Sequence, residues 1–400
     1  MIARILILLS GVLILASCQS DSNRRNTADA QIEKRIDELI SRMTVEEKIG
    51  QTNQLTVYGT TEELCEKMLN VVDPADINTL QRAAVEQSRL GIPLLIARDV
   101  IHGFRTVFPI PLGQAATFDP ALVEQGARIA AIEASAAGIR WTFSPMLDIS
   151  RDPRWGRIAE SAGEDPCLTS AMGAAMVRGY QGEGADDPTS IAACAKHFVG
   201  YGASESGRDY NSTNLTERQL RNVYLPPFEQ AVRNGAMTLM TSFNDNDGIP
   251  STGNRFLLEE VLRNEWGFDG MVVTDWNSAG EMVSHGFAAD TKDAAMKAIN
   301  AGVDMDMMSH VFSLHLKDLI DEGTVDERRL DEAVRNILRV KFRLGLFENP
   351  YIDTARIARV TYAPEHLEAA RRTAEESAVL LRNEGSILPL DASALRSVLV

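Results

Sequence analysis

Six times between Pro93 and Glu322 the chain passes from a short, almost unbroken apolar run into a stretch with helical periodicity, and this alternation limits the fold more than any other feature. PLLIARD leads to PALVEQGARIAAIEASAAG, WTFSPMLD to SAMGAAMVRGYQG, and IAACAKHF to TERQLRNVYLPPFEQAVRNG. MTLMTSFN leads to RFLLEEVLRNEWG, GMVVTD to DAAMKAINAG, and VDMDM to HVFSLHLKDLIDEG. Runs that are continuous rather than alternating belong to strands buried on both faces, as in a parallel sheet covered by helices. A repeating βα unit leaves two architectures, a closed barrel or an open doubly wound sheet. No GxGxxG follows the first strand, so the nucleotide-binding open sheet loses support. Six units in about 250 residues, with one or two weaker ones before Gly91, predict an α/β fold of the (β/α)8 TIM-barrel type.

The flanks set the domain boundaries. QIEKRIDELISRM has helical spacing, and Thr44-Val45-Glu46-Glu47 fits a capping box that opens the next helix. The barrel is expected over residues 32–347, and a linker with one long helix, PEHLEAARRTAEESAVLLRNEG, over 348–388. Residues 389–400 end in ALRSVLV, which reads as the first strand of another, incomplete domain. A lone strand cannot satisfy its own edges, so the expectation is a fragment or a chain that has lost its second domain. At the other end, MIARILILLSGVLILASC has one basic residue, Arg4, and an apolar run from Ile5 to Ala16 too short to span a bilayer comfortably. Residues 1–17 have the layout of an export signal, and Leu15-Ala16-Ser17-Cys18 resembles a lipobox, with Cys18 acylated and residues 18–31 as a polar tether. A plain secretory signal with an incidental cysteine is the alternative. Either way the chain is expected to be exported, to the periplasm or, by the resemblance of Gln19 after the cysteine, to an outer-membrane anchor.

Charge and cysteine content narrow the partners. With 40 basic and 56 acidic residues, net −16, and no basic cluster, neither nucleic acid nor an anionic lipid surface is expected, and membrane contact is confined to the lipid anchor. Cys65, Cys167 and Cys194 are an odd set without CxxC spacing, which argues against a zinc site or a disulfide framework; Cys194 reads as a small core residue. His102, His197, His285 and His310 are scattered without ligand spacing, so no metal or cofactor is expected.

Several apolar runs end in polar side chains, and in a βα barrel the chemistry sits on that rim. Asp99 closes PLLIARD, with His102 beyond it. Asp148 closes WTFSPMLD and is followed by Arg151, Arg154 and Arg157. Lys196 and His197 fall within IAACAKHF, Phe243 and Asn244 end MTLMTSFN, and Asp275 and Trp276 follow MVV. Each has a structural reading: Asp148 as partner of a nearby arginine, Arg151 and Arg154 as loop-fixing ion pairs, His102 as a donor to backbone carbonyls, Asp275 as a cap or a satisfied core acid. One polar strand end is common, but a ring of them carries a desolvation cost at every member if left unpaired. The coincidence favours a polar pocket with acids, cations and an aromatic flank, which suits a sugar.

The segments SPMLDISRDPRWGRIAESAGEDP, KHFVGYG, MTSFNDNDGIPSTGN and GFDGMVVTDWNS resemble glycoside hydrolase family 3, in its bacterial periplasmic β-glucosidase branch, over about Thr44 to Pro389. The resemblance implies a barrel carrying the nucleophilic Asp275. It implies that Asp99, Arg157, Lys196 and His197 bind hydroxyls of the nonreducing-end sugar, that Trp276 flanks that sugar, and that Met240 lies in a strand lining the same subsite. It further implies a retaining mechanism through a covalent glycosyl-enzyme, without a cofactor. The acid/base in this branch is a Glu from a second domain. The β-N-acetylglucosaminidase branch uses an Asp–His pair in the loop after KHF, but VGYGASESGRDYNST has no histidine: Asp209 is present and Asn211 stands where a His is needed. That departure argues against the second branch and leaves the acid/base outside this chain, with Glu205 the one loop carboxylate to test and loop solvation its bland role. The expected function is exo-acting removal of β-linked glucose from oligosaccharides or glucosides. β-Xylosidase is the rival within the class, and a noncatalytic sugar-binding lipoprotein is the rival outside it.

Overall fold

Met271 and Val273 pack into one buried cluster while Val272, between them, packs into another, which is the physical reason for the continuous apolar run. The same division runs through the other strands. Ala97, Trp141, Cys194, Met240 and Met305 belong to the inner cluster, and Ala193, Ala195 and Leu239 face the outer cluster with the helices. Successive side chains of a strand point to opposite faces, so a strand wet on neither side must be apolar at every position. Leu239 is fully buried, and truncation to Ala is expected to cost about 2–5 kcal/mol.

The computed structural model describes residues 29–55 and 73–397; the expected export signal, Cys18, Cys65 and residues 398–400 lie outside the described residues. The strands are β1 (Asn53–Gln54), β2 (Ala97–Arg98), β3 (Trp141–Thr142), β4 (Cys194–Phe198), β5 (Thr238–Thr241), β6 (Asp245–Asn246), β7 (Ile249–Pro250), β8 (Met271–Val273) and β9 (Asp306–Met307). Parallel ladders join β2 to β3, β4 to β5, β5 to β8, and β9 to β1. Parallel bridges Trp141↔Ala192 and Met146↔Lys196 connect β3 with β4, and Val273↔Met305 connects β8 with β9. The lateral order is therefore β2-β3-β4-β5-β8-β9-β1, with β6 and β7 an antiparallel pair in the loop beyond β5. The early strand that the sequence leaves unreadable is β1, two polar residues held by Asp306 N to Thr52 O at 2.8 Å.

Helices cover the outside. Pro120–Ala136 packs against Pro166–Gln181, and Glu327–Arg343 lies against the β8 side. The capping box at Thr44 forms as expected, with Thr44 N donating to Glu47 at 2.9 Å and Glu47 N donating to Thr44 Oγ1 at 3.3 Å. Two expectations change. TERQLRNVYLPPFEQAVRNG is not one helix: Pro226 starts a separate helix, Pro226–Arg233, because proline fits a first turn and breaks an interior one. The long helix after Pro364 stops at Glu376, and Leu380 and Leu381 are exposed beyond it. Residues 389–397 contain no strand.

Candidate active site

The loop after β3 runs beside β4. Met146 bridges to Lys196, Leu147 N donates to Lys196 O at 2.6 Å, and Lys196 N donates to Pro145 O at 3.0 Å. Asp148 is thereby set next to His197. Gly202 is needed for this approach, since a Cβ there would lie 2.5 Å from the Ile149 carbonyl oxygen. The pairing of β4 with β5 slips between Ala195 and Phe198. Within that slip two consecutive residues, Lys196 and His197, both turn polar ends toward one site, which a regular strand forbids.

A cavity of about 330 Å3 opens over these strand ends. Asp99, Arg157, Lys196, Met240, Asp275 and Trp276 all line it. Arg98, Phe143 and Met307 line it too, and sequence reasoning did not single them out as site residues. Arg98 and Phe143 sit at strand ends beside Asp99 and in WTF, so the strand-end rule could have found them; Met307 gave no such signal. His197 is only 1% exposed and lies behind the wall, reaching the site through Asp275.

Two ion pairs and one imidazole–carboxylate contact organise the floor. Lys196 Nζ is 3.0 Å from Asp99 Oδ1, Arg157 grips Glu160 through Nε at 2.7 Å and Nη2 at 3.0 Å, and His197 Nε2 is 3.3 Å from Asp275 Oδ2. The last contact is too poorly aligned to serve as a hydrogen bond, and neither atom has another partner among the described residues. Asp275 Oδ1 accepts the backbone N–H of Trp276 at 2.7 Å. Burial pushes the Asp275 carboxyl up to about 6, while Lys196, the Trp276 N–H and Arg157 hold it from going further. It is thus ionised at neutral pH, desolvated, and at the base of a pocket: a nucleophile's situation. Trp276 is 45% exposed at the rim and offers an open indole face. Glu281, in the helix Ser278–Ser284, is pushed up to about 7 by burial and by the charge of Asp275, and lines a neighbouring hollow with Tyr210 and His285.

The other sequence assignments sort plainly. Asp148 pairs with the His197 ring and not with an arginine, because the 146–148 segment runs alongside β4 and the arginines lie further along the loop. Arg154 does fix its loop through Asp152. His102 Nδ1 lies 2.9 Å from the Phe108 carbonyl oxygen. Asp209 accepts from Trp155 Nε1 at 3.1 Å, and Glu205 is exposed and bonded to Asn214. Cys194 is fully buried in β4, and burial pushes its thiol up to about 12.

The model of the glycosyl hydrolase family 3 N-terminal domain matches residues 31–340. The chain belongs to glycosyl hydrolase family 3. It is 40% identical over 383 residues to a periplasmic beta-glucosidase of Salmonella typhimurium, covering 91% of this chain and 49% of that protein. It is 35% identical to a beta-xylosidase of Formosa agariphila, covering 97% of this chain and 53% of that one. A beta-glucosidase from Listeria innocua superposes with a TM-score of 0.86 at 42% identity, covering 89% of this chain and 53% of the other. The chain thus spans about half the length of these family 3 relatives. Its α/β architecture agrees with that of these neighbours.

Proposed function

We propose that this chain is the nucleophile-bearing part of a retaining, exo-acting β-glucosidase, and that Asp275 attacks the anomeric carbon of a bound glucosyl unit. The observation that carries the reading is the buried, ionisable Asp275 facing a sugar-sized cavity together with Lys196, Arg157 and a half-exposed Trp276. Asp99, Arg157 and Lys196 are proposed to hold the hydroxyls, with His197 acting from behind the wall through Asp275, Trp276 to stack on the ring, and Met240 to supply apolar wall. Retention requires a second carboxyl about 5–5.5 Å from the first to protonate the leaving oxygen and then activate water. Among the described carboxyls that line the cavity, Asp99 is engaged with Lys196 and Asp275 is the nucleophile. The acid/base is therefore proposed to come from a further domain of the same protein, in line with relatives of about twice this length.

The lateral order of seven parallel strands among the described residues suits a barrel of the (β/α)8 type over 32–347, and residues 348–388 are proposed as a linker and helix leading to a second domain from 389. Export, with Cys18 as a lipid anchor, is supported by the N-terminal layout and by the periplasmic name of the Salmonella relative.

An activated 2-deoxy-2-fluoro-β-glucoside tests the reading, since a good leaving group needs little acid help. Mass spectrometry is expected to find a covalent adduct on the peptide containing Asp275. A folded sample that takes no label overturns the reading in favour of a noncatalytic sugar binder. The β-xylosidase relative keeps one rival in view, and faster labelling by the fluoro-xyloside than by the fluoro-glucoside would replace glucose with xylose as the substrate.

A further inference from the structure

We propose that Asp148 is a positioning residue that holds a proton against Nδ1 of His197, so that the ring presents Nε2–H to Asp275 and keeps that carboxylate ionised. This rests on the reading of Asp275 as nucleophile and deepens it.

The geometry is a proton count. Asp148 Oδ2 is 2.7 Å from His197 Nδ1, and His197 Nε2 is 3.3 Å from Asp275 Oδ2. The first contact is a hydrogen bond and needs one proton between its atoms. The second is misaligned for a hydrogen bond, yet it sets a ring nitrogen so close to a carboxyl oxygen that a proton on one of them is needed to keep two lone pairs from facing each other. A neutral imidazole between two carboxylates has one proton for two contacts. If that proton sat on Nδ1, the Nε2 lone pair would face an ionised Asp275 oxygen at 3.3 Å, and two buried acceptors would repel. The assembly therefore holds one further proton.

Its place follows from the surroundings. An imidazolium is disfavoured, because His197 is buried and both Arg157 and Lys196 act against a second positive charge, which holds its pKa well below the usual value. Asp275 is stabilised as an anion by Lys196, the Trp276 N–H and Arg157, with Asp99 opposing. Asp148 has no exposed side-chain surface and its Oδ1 has no hydrogen-bond partner; the His197 backbone N–H, Arg157 and Lys196 favour its charge and Glu160 opposes it, but burial outweighs them. An orphaned oxygen costs less as the carbonyl of a neutral acid than as half of a carboxylate. Burial accordingly pushes the Asp148 carboxyl up to about 7. The Tyr201 ring meets the His197 ring in a T-shaped contact, 5.4 Å between centroids.

The backbone makes the arrangement testable. The oxygen of Asp148 near Nδ1 also accepts the backbone N–H of His197 at 3.1 Å. In Asp148→Asn the amide must keep oxygen at that place, since its NH2 would face the backbone N–H. The oxygen then accepts from Nδ1–H, and Nε2 loses its proton. The full chain with 15N-labelled histidine is followed by NMR near pH 6.5, His197 being identified by its loss in His197→Gln. Wild type is expected to show the Nε2–H tautomer, and Asp148→Asn the Nδ1–H tautomer. Labelling of Asp275 by the fluoro-glucoside is expected to slow at least about 100-fold in Asp148→Asn. An Nδ1–H tautomer in wild type overturns the assignment, as does an unchanged labelling rate in folded Asp148→Asn, or a slower rate without the tautomer switch. If Asp148→Asn does not fold, the wild-type spectrum decides. Wild type that never takes label overturns the glucosidase reading, while its tautomer still decides the place of the proton.

Discussion

Two buried carboxyl–histidine pairs in this molecule behave oppositely. Glu133 has no exposed side-chain surface and receives five donors: Arg105 N at 2.9 Å, Thr106 N at 2.8 Å, Thr106 Oγ1 at 2.7 Å, Tyr362 N at 3.3 Å and His366 Nδ1 at 3.0 Å. Burial alone would raise its pKa, but the Thr106, His366 and Arg105 donors outweigh burial and hold the carboxyl below its usual value. Asp148, equally buried, shares two bonds with His197, of which only the backbone N–H is a fixed donor, has an orphaned oxygen, and is pushed up to about 7 by burial. The difference lies in saturation. A carboxylate given all its donors becomes a clamp, here tying the helix Pro364–Glu376 to Pro120–Ala136. One left short of donors keeps a proton that can direct a neighbour.

The sharpest way to break the comparison is Asp275→Asn, which is expected to abolish fluoro-glucoside labelling while circular dichroism and melting stay near wild type; residual adduct on that peptide would remove the reason for the Asp148 arrangement. Next in size is Glu133→Gln. It is expected to cost about 2–4 kcal/mol by denaturant unfolding, because buried donors lose a charged acceptor, with the labelling rate unchanged.

The pH dependence of the two variants relative to wild type should run in opposite directions. The folded Asp148 carboxyl lies above its ordinary 3.8, so the stabilisation linked to its bound proton is full below about pH 4 and is lost as pH rises through about 7; Asp148→Asn therefore gains on wild type as pH rises. The folded Glu133 carboxyl lies below its ordinary 4.5, so its contribution is present above that value and is lost as pH falls; Glu133→Gln therefore draws level with wild type in acid. Melting curves at several pH values check both signs, and parallel trends would erase the distinction. The labelling rate of wild type should rise with pH through about 6 as Asp275 ionises. Smallest of all, Trp276→Ala should leave the melting temperature almost unchanged, since its side chain is half in solvent, while raising the fluoro-glucoside concentration needed for half-maximal labelling.

Much of this was legible because it depends on local pattern. MVV reads as a strand buried on both faces, and Met271, Val272 and Val273 divide between two cores as that reading requires. The polar ends Asp99, Lys196 and Asp275 come together because parallel strands bring their carboxyl ends to one rim. What escaped depends on register. Asp148 precedes an arginine-rich loop in sequence, so an arginine was the natural partner, yet the Met146↔Lys196 bridge sets it against His197 instead. The polar pair Asn53–Gln54 carries no strand signal and pairs only because β9 offers an edge. Met307 reaches the cavity through lateral strand order, which no single run of residues encodes.

The slip in β4 has one more consequence. A straight strand would send Lys196 and His197 to opposite faces, and the displaced pairing lets the ammonium line the cavity while the imidazole backs Asp275 from behind its wall. Charge and ring thus depend on a single irregular step of backbone, so a deletion that restored even spacing would turn one of them away from Asp275.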